Sequence, residues 1–224
     1  MKKLYGIGTG PGASDLLTIR AANLIKDADI IFVPNNKGRN MALDTARDLI
    51  GDKKIVLIDF PMGQVTKEDY RKAAEIIFNG IAENEYGVFL TIGDSMIYST
   101  FIYIMNELDN RKIDIEIVPG IPSFVAAACA SKTPLTVKGE SFLLCDEYNP
   151  KLLDNVDSLA ILKTLGEKED LLHYLEKRDF NYKYVKRVSL EKEEILQDKD
   201  TIIKDKDYIS LILSRKQEAN YEGK

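Results

Sequence analysis

Cysteine and histidine are scarce in this 224-residue chain: Cys129, Cys145 and the single His173 are all it has. Neither cysteine belongs to a C-x-x-C pair, so a disulfide framework and a structural zinc site are both excluded as organising principles. Two thiols of this kind suit a reducing, cytoplasmic setting. Cys129 lies in an Ala-rich helical run and is expected to be a small buried thiol. His173, in Leu171-Leu172-His173-Tyr174, reads as a surface or packing residue on a helix. Long apolar runs are also missing; none nears the roughly 18 residues of a membrane span. Met1-Lys2-Lys3 leads directly into a strand pattern, with no signal-peptide hydrophobic region. Excess positive charge is absent too. The formal net charge of −5 gives no electrostatic footprint for nucleic acid, although it leaves room for a small anionic ligand met by local cations. There is no internal repeat and no low-complexity segment.

The composition is otherwise that of an ordinary globular chain, 30% charged and 45% apolar, long enough for one large domain or two small ones. The informative stretch comes first. Leu4 to Ile7 reads as a strand, and Gly6, Gly8, Gly10 and Gly12 then crowd around Pro11 before Ser14-Asp15 opens a helix. Loops without Cβ atoms let a ligand approach the main chain closely. The spacing is not that of a dinucleotide fingerprint, because positions 11 and 13 hold Pro11 and Ala13 where a third glycine is needed. No Gly-Lys-Ser/Thr follows, so it is not a P-loop. A ligand-free turn and a ligand site both remain open for it.

From there strands and helices alternate. Helices are expected over 16–26, 41–50, 67–83 and 97–108. Strands are expected over 28–34, 54–58, 87–92 and 113–118. Ala73, Ile76, Ile77 and Ile81 mark the apolar face of the third helix. Unbroken β-branched runs indicate a parallel sheet covered on both faces, with ligands beyond the carboxyl ends of its strands. Pro119-Gly120-Ile121-Pro122 punctuates the chain, which divides it into domains 1–118 and 119–224. The second half carries an Ala-rich helix from Ser123, strands over 141–145, 158–163, 182–186 and 208–213, and a helix over 167–177. The alternating charges between Glu191 and Asp207 predict a solvated meander or hairpin.

Two further strand-to-helix turns carry possible chemistry. Gly93-Asp94-Ser95-Met96 places a carboxylate where it either caps a helix or meets a ligand. Val118-Pro119-Gly120-Ile121-Pro122-Ser123 adds the free N–H groups of a helix start.

Together the three turns resemble the tetrapyrrole methylase family, the S-adenosylmethionine-dependent enzymes of sirohaem and cobalamin synthesis. Ile7-Gly-Thr-Gly-Pro-Gly followed by Leu16-Leu-Thr-Ile-Arg-Ala21 fits its first signature. Leu90 through Gly93-Asp94, Tyr98-Ser99, Leu108 and Pro119-Gly120 fits the second. Gly87 stands where that signature has valine, and Ser95 where proline is usual. Pro34, Phe60-Pro61-Met62, Tyr98-Ser99-Thr100-Phe101 and Ser123-Phe124 are most similar to the branch that methylates C20 of precorrin-2 or cobalt-factor II. The uroporphyrinogen methylases carry an aspartate, thought to act as a base, where Pro34 stands.

The resemblance implies two αβα domains, the first with a parallel and the second with a mixed sheet, and an active-site trough between them. It implies S-adenosylmethionine contacts from Pro11, Gly93, Asp94, Met96, Ile97, Pro122, Ser123, Leu162 and Lys163. The substrate would be a tetrapyrrole, methylated at C20 with loss of a proton; Asp94 and Tyr98 are the candidates to take it. Arg39 and Arg187, with Lys37 and Lys163, are candidate counter-charges for its carboxylates. A homodimer is implied, with no resident metal, no membrane and no nucleic-acid partner. Methylation at another corrinoid ring carbon, or of a non-porphyrin substrate such as diphthine, is the alternative. The residues leave open whether the substrate carries cobalt.

Overall fold

The computed structural model describes residues 1–35, 40–61, 65–109, 111–162, 164, 166 and 168–216. The chain divides into two compact units, Met1–Pro122 and Ser123–Lys224. Pro119–Pro122 go with the first because Gly120 N donates to Asp94 Oδ2 at 3.0 Å.

In the first unit, β1 (Lys2–Gly8), α1 (Ile19–Asp27), β2 (Ile30–Asn35), α2 (Met41–Ile50), β3 (Lys54–Asp59), α3 (Lys67–Gly80), β4 (Tyr86–Thr91), α4 (Thr100–Leu108) and β5 (Ile113–Val118) alternate. The five strands are parallel in the order β3-β2-β4-β1-β5. Alternate side chains enter two cores, as the pleat requires. Leu4, Phe32, Ile58 and Phe89 pack under Ala73, Ala74 and Ile77 of α3 and Phe101, Ile104 and Leu108 of α4. Ile7, Ile31, Val33, Val88 and Leu90 pack under Ala21 and Ile25 of α1 and Ala42, Ala46 and Ile50 of α2. Gly87, the departure from the family's valine, has an evident cause. A Cβ there would lie 2.8 Å from Phe32 Cε2 and 3.0 Å from Ile81 Cδ1, so a large ring on β2 occupies the space.

The second unit contains α5 (Ser123–Ser131), β6 (Phe142–Cys145), β7 (Ser158–Ile161), α6 (Lys168–Glu176), β8 (Phe180–Lys186), β9 (Glu194–Leu196), α7 (Lys199–Lys204) and β10 (Ser210–Lys216). Its sheet, β6-β7-β10-β8-β9, is mixed: β6 and β7 are parallel and the remaining pairs antiparallel. No helix among the described residues is long and apolar enough to cross a membrane.

Several elements differ from expectation. α1 begins at Ile19, because Thr18 accepts from Ala21 N at 3.2 Å while Ser14–Leu16 forms a separate 3-10 turn. α4 begins at Thr100, capped by Ser99, because Tyr98 at φ +46° breaks the helical path. Ile76 lies off the buried stripe of α3 and is exposed. Cys129 is exposed, since α5 buries Phe124, Ala127 and Ser131 instead.

The hairpin expected within 191–207 is present, as β9 pairs antiparallel with β8 at an exposed sheet edge, and the short helix α7 follows it. Ile202 is fully buried, and Asp198 caps α7 by accepting from Thr201 N at 2.9 Å. At the other end of α7 the buried Lys168 donates to Ile202 O at 3.2 Å and to Asp205 O. A cation at a helix carboxyl end satisfies orphan carbonyls and opposes the dipole.

Candidate functional site

The carboxyl ends of β1, β4 and β5 are tied together through their main chains. Thr9 N donates to Thr91 O at 2.8 Å, extending β1 against β4. Gly10 and Gly93 then exchange two bonds, N to O at 3.1 Å and 2.7 Å. At Gly120 a Cβ would stand 2.2 Å from Gly93 O and 2.6 Å from the Gly8 carbonyl carbon. The bare backbone expected to admit a ligand is thus used first to let three loops touch one another. Gly93 also holds φ +74°, which L side chains disfavour. Behind the first loop, Thr45 Oγ1 of α2 donates to Gly12 O at 3.0 Å. Pro11, next to it, is buried.

Asp94 does not cap a helix. Its Oδ1 accepts from Met96 N at 2.8 Å and its Oδ2 from Gly120 N at 3.0 Å. Met96 and Tyr98 follow with 43% and 54% of their surfaces exposed, an unusual display of apolar groups on one short loop. Tyr98 holds its positive φ without being glycine, a strain of about 1 kcal/mol or more that often marks functional loops. Ile97 and Pro122 are half-buried beside it in sequence and loop cluster.

A cavity of about 160 Å³ opens beside Tyr98 at the carboxyl ends of β2 and β4. Pro34 and Asn40 line one side, Thr91 the strand end, and Ile97, Tyr98 and Ser99 the other. Asn40 holds the wall by donating to Pro34 O at 2.6 Å and accepting from Leu43 N. Among the described residues Thr91 Oγ1 is buried without a hydrogen-bond partner, as is Ser95 Oγ. Thr91 and Asn40 were not singled out from sequence. Their signals were a threonine ending a strand and an asparagine opening a helix.

The remaining candidates lie in the second unit or outside the described residues. Ser123 opens α5, and Leu162 follows β7, donating from its N to Cys145 O at 3.0 Å. Arg187 sits at φ +53° with its Nε donating to Asp207, so its charge has a carboxylate partner. Lys37, Arg39 and Lys163 fall outside the described residues.

The cavity beside Tyr98 is lined by polar groups (Asn40, Thr91, Ser99, Thr100) as well as apolar ones, and among the described residues its Thr91 hydroxyl is buried without a hydrogen-bond partner. The comparisons with known proteins agree with the fold and the motifs. The sequence model of the "Tetrapyrrole (Corrin/Porphyrin) Methylases" matches residues 3–201. A "Probable cobalt-precorrin-2 C(20)-methyltransferase" from Methanocaldococcus jannaschii is 34% identical, covering 96% of this chain and 97% of the relative. A "Cobalt-precorrin-2 C(20)-methyltransferase" from Salmonella typhimurium is also 34% identical, covering 73% of each chain. Among solved structures, a uroporphyrin-III C-methyl transferase from Thermus thermophilus complexed with S-adenyl homocysteine superposes with a TM-score of 0.69 at 20% identity. That match covers 95% of this chain and 92% of the other, and at such identity it speaks for the fold. With both halves of the chain inside the matched region and all three turns in the places the signatures require, this protein is a member of the tetrapyrrole methylase family.

Proposed function

We propose that the protein transfers a methyl group from S-adenosylmethionine to C20 of cobalt-precorrin-2 in cobalamin biosynthesis. The observation that carries this reading is the 34% identity to a relative of that name, along almost the whole of both chains. Both relatives named for C20 methylation refer to the cobalt-containing substrate, which favours it over metal-free precorrin-2. Neither diphthine nor another ring carbon has comparable support.

Bound S-adenosylmethionine supplies an electrophilic methyl on a sulfonium sulfur. The protein's own task is to align donor and acceptor and keep water out. In this reading Pro11, Gly93, Asp94, Met96, Ile97 and Pro122 form the donor's surface in the first unit. Ser123, Leu162 and Lys163 are further donor-contact candidates by family resemblance alone. Met96 and Tyr98 are exposed apolar groups suited to a flat, conjugated partner. Tyr98, bordering the cavity with Asn40 and Thr91, is our candidate to receive the C20 proton. Arg39 and Arg187 are assigned to substrate carboxylates. A guanidinium carries five donors, and Arg187 commits Nε to Asp207. We place the enzyme in the cytoplasm as a homodimer.

The test is paired turnover without oxygen, with S-adenosylmethionine and either precorrin-2 or its cobalt complex. Mass spectrometry counts added methyls, and NMR with a labelled methyl locates them. One methyl at C20 of the cobalt substrate is expected. Methylation at a different carbon, or none with the donor bound, overturns the assignment.

A further inference from the structure

Asp94 sits where three loops are fastened. Residue 93 exchanges two main-chain bonds with Gly10 of the β1 loop. Residue 94 then uses one carboxylate oxygen for its own loop, at Met96 N, and the other for the β5 loop, at Gly120 N twenty-six positions on. The fit leaves no slack, because Gly93 O already lies against Gly120 where a Cβ would go. Without the carboxylate, the half-buried amide of Gly120 would lose its partner at Asp94.

We infer that Asp94 is a positioning residue, rather than the group that takes the proton. It holds the 93–97 and 119–122 loops in register, so that Met96, Ile97 and Pro122 form a single surface for the methyl donor. This rests on the reading of these loops as the S-adenosylmethionine site. A base presents its oxygen to the substrate; both Asp94 oxygens are turned to main-chain amides. Charge-assisted bonds of this kind are short, directional and strong enough to fix a loop.

The experiment measures S-adenosylhomocysteine binding by calorimetry, and steady-state kcat and KM across pH. The variants are Asp94→Asn, Asp94→Ser and Gly120→Ala. Asparagine and serine can still accept from Met96 N, but neither restores the second acceptor opposite Gly120 N. Gly120→Ala attacks the same junction from the other loop and leaves the carboxylate in place. Expected are a KM for S-adenosylmethionine and a Kd for S-adenosylhomocysteine raised about tenfold or more, a kcat at saturation within about threefold of wild type, and an unchanged pH profile of kcat. The Asp94→Asn/Gly120→Ala double variant should be little worse than the weaker single, because both break one junction. Loss of a proton acceptor would instead cut kcat by 10²-fold or more at unchanged KM, which overturns the inference. So does a lowered melting temperature with unchanged KM, the mark of a merely structural bond. Wild type that binds no S-adenosylhomocysteine would overturn the site reading itself, a result the variants do not enter.

Discussion

Substituting Gly87 by valine restores the residue that the family signature carries at that slot, and the structure says it should do harm here. The Cβ alone would come within 2.8 Å of Phe32 and 3.0 Å of Ile81, both fully buried side chains with no surface to retreat to. Overpacking a filled core costs about 1–3 kcal/mol, while replacing a strand glycine returns roughly 0.5–1 kcal/mol. A net loss of about 1–2 kcal/mol follows. Phe32→Val alone removes most of a buried ring and should cost about 2–4 kcal/mol. In the double variant the valine at 87 fills part of the space the ring vacates. Its cost should therefore fall short of the sum of the two singles by about 1.5 kcal/mol or more. Urea unfolding followed by far-UV circular dichroism suits the measurement, as the chain has no tryptophan. Additivity within about 0.5 kcal/mol would refute the argument that Phe32 is why this chain has glycine at 87.

Asp205 offers a pH-dependent test in the second unit. Burial raises its pKa, but bonds from Lys186, the Asp207 amide and Tyr184 outweigh that and bring it from 3.8 to about 2. The folded value lies below the unfolded one, so its stabilisation is complete above pH ~4 and lost as pH falls towards 2. It is worth roughly 2 kcal/mol. Asp205→Asn should be that much less stable near pH 6 and nearly equal to wild type near pH 2; a gap independent of pH would contradict it. Ser95→Ala removes a fully buried hydroxyl that has no partner among the described residues, and should raise unfolding free energy by about 1 kcal/mol. A loss of stability on chemical denaturation would show that Ser95 Oγ is bonded after all.

The first unit was legible because its strands carry apolar runs, as in β2 and β4, or apolar alternation, as in β5, with Gly- or Pro-rich turns after β1, β4 and β5. Periodicity located α2 and β5 to the residue. What it missed were the starts of α1 and α4. In both cases a polar residue at the loop looked like the cap, while the real caps are Thr18 and Ser99. Asp94 was unavailable to its own helix because its partner is Gly120, a contact no local pattern contains. Within 191–207 the alternating charges marked the exposed hairpin strand β9 but not α7, which the buried Ile202 and the distant Lys168 hold.

The glycines carry a further lesson about where specificity resides. At β1, β4 and β5 the loops meet through backbone, and their geometry is set by Gly8, Gly93, Gly120 and the Asp94 bridge. On the proposed assignment, this junction sets where Met96, Ile97 and Pro122 meet the donor. At β2 and β4 the cavity is built instead from Pro34, Asn40, Thr91 and Tyr98, whose side chains set its shape and polarity. Pro34 itself offers no proton acceptor beyond a carbonyl, and that carbonyl already accepts from Asn40. On the proposed assignment, substitutions around this cavity should shift which tetrapyrrole is accepted, and substitutions at the glycine junction should weaken donor binding for every substrate alike.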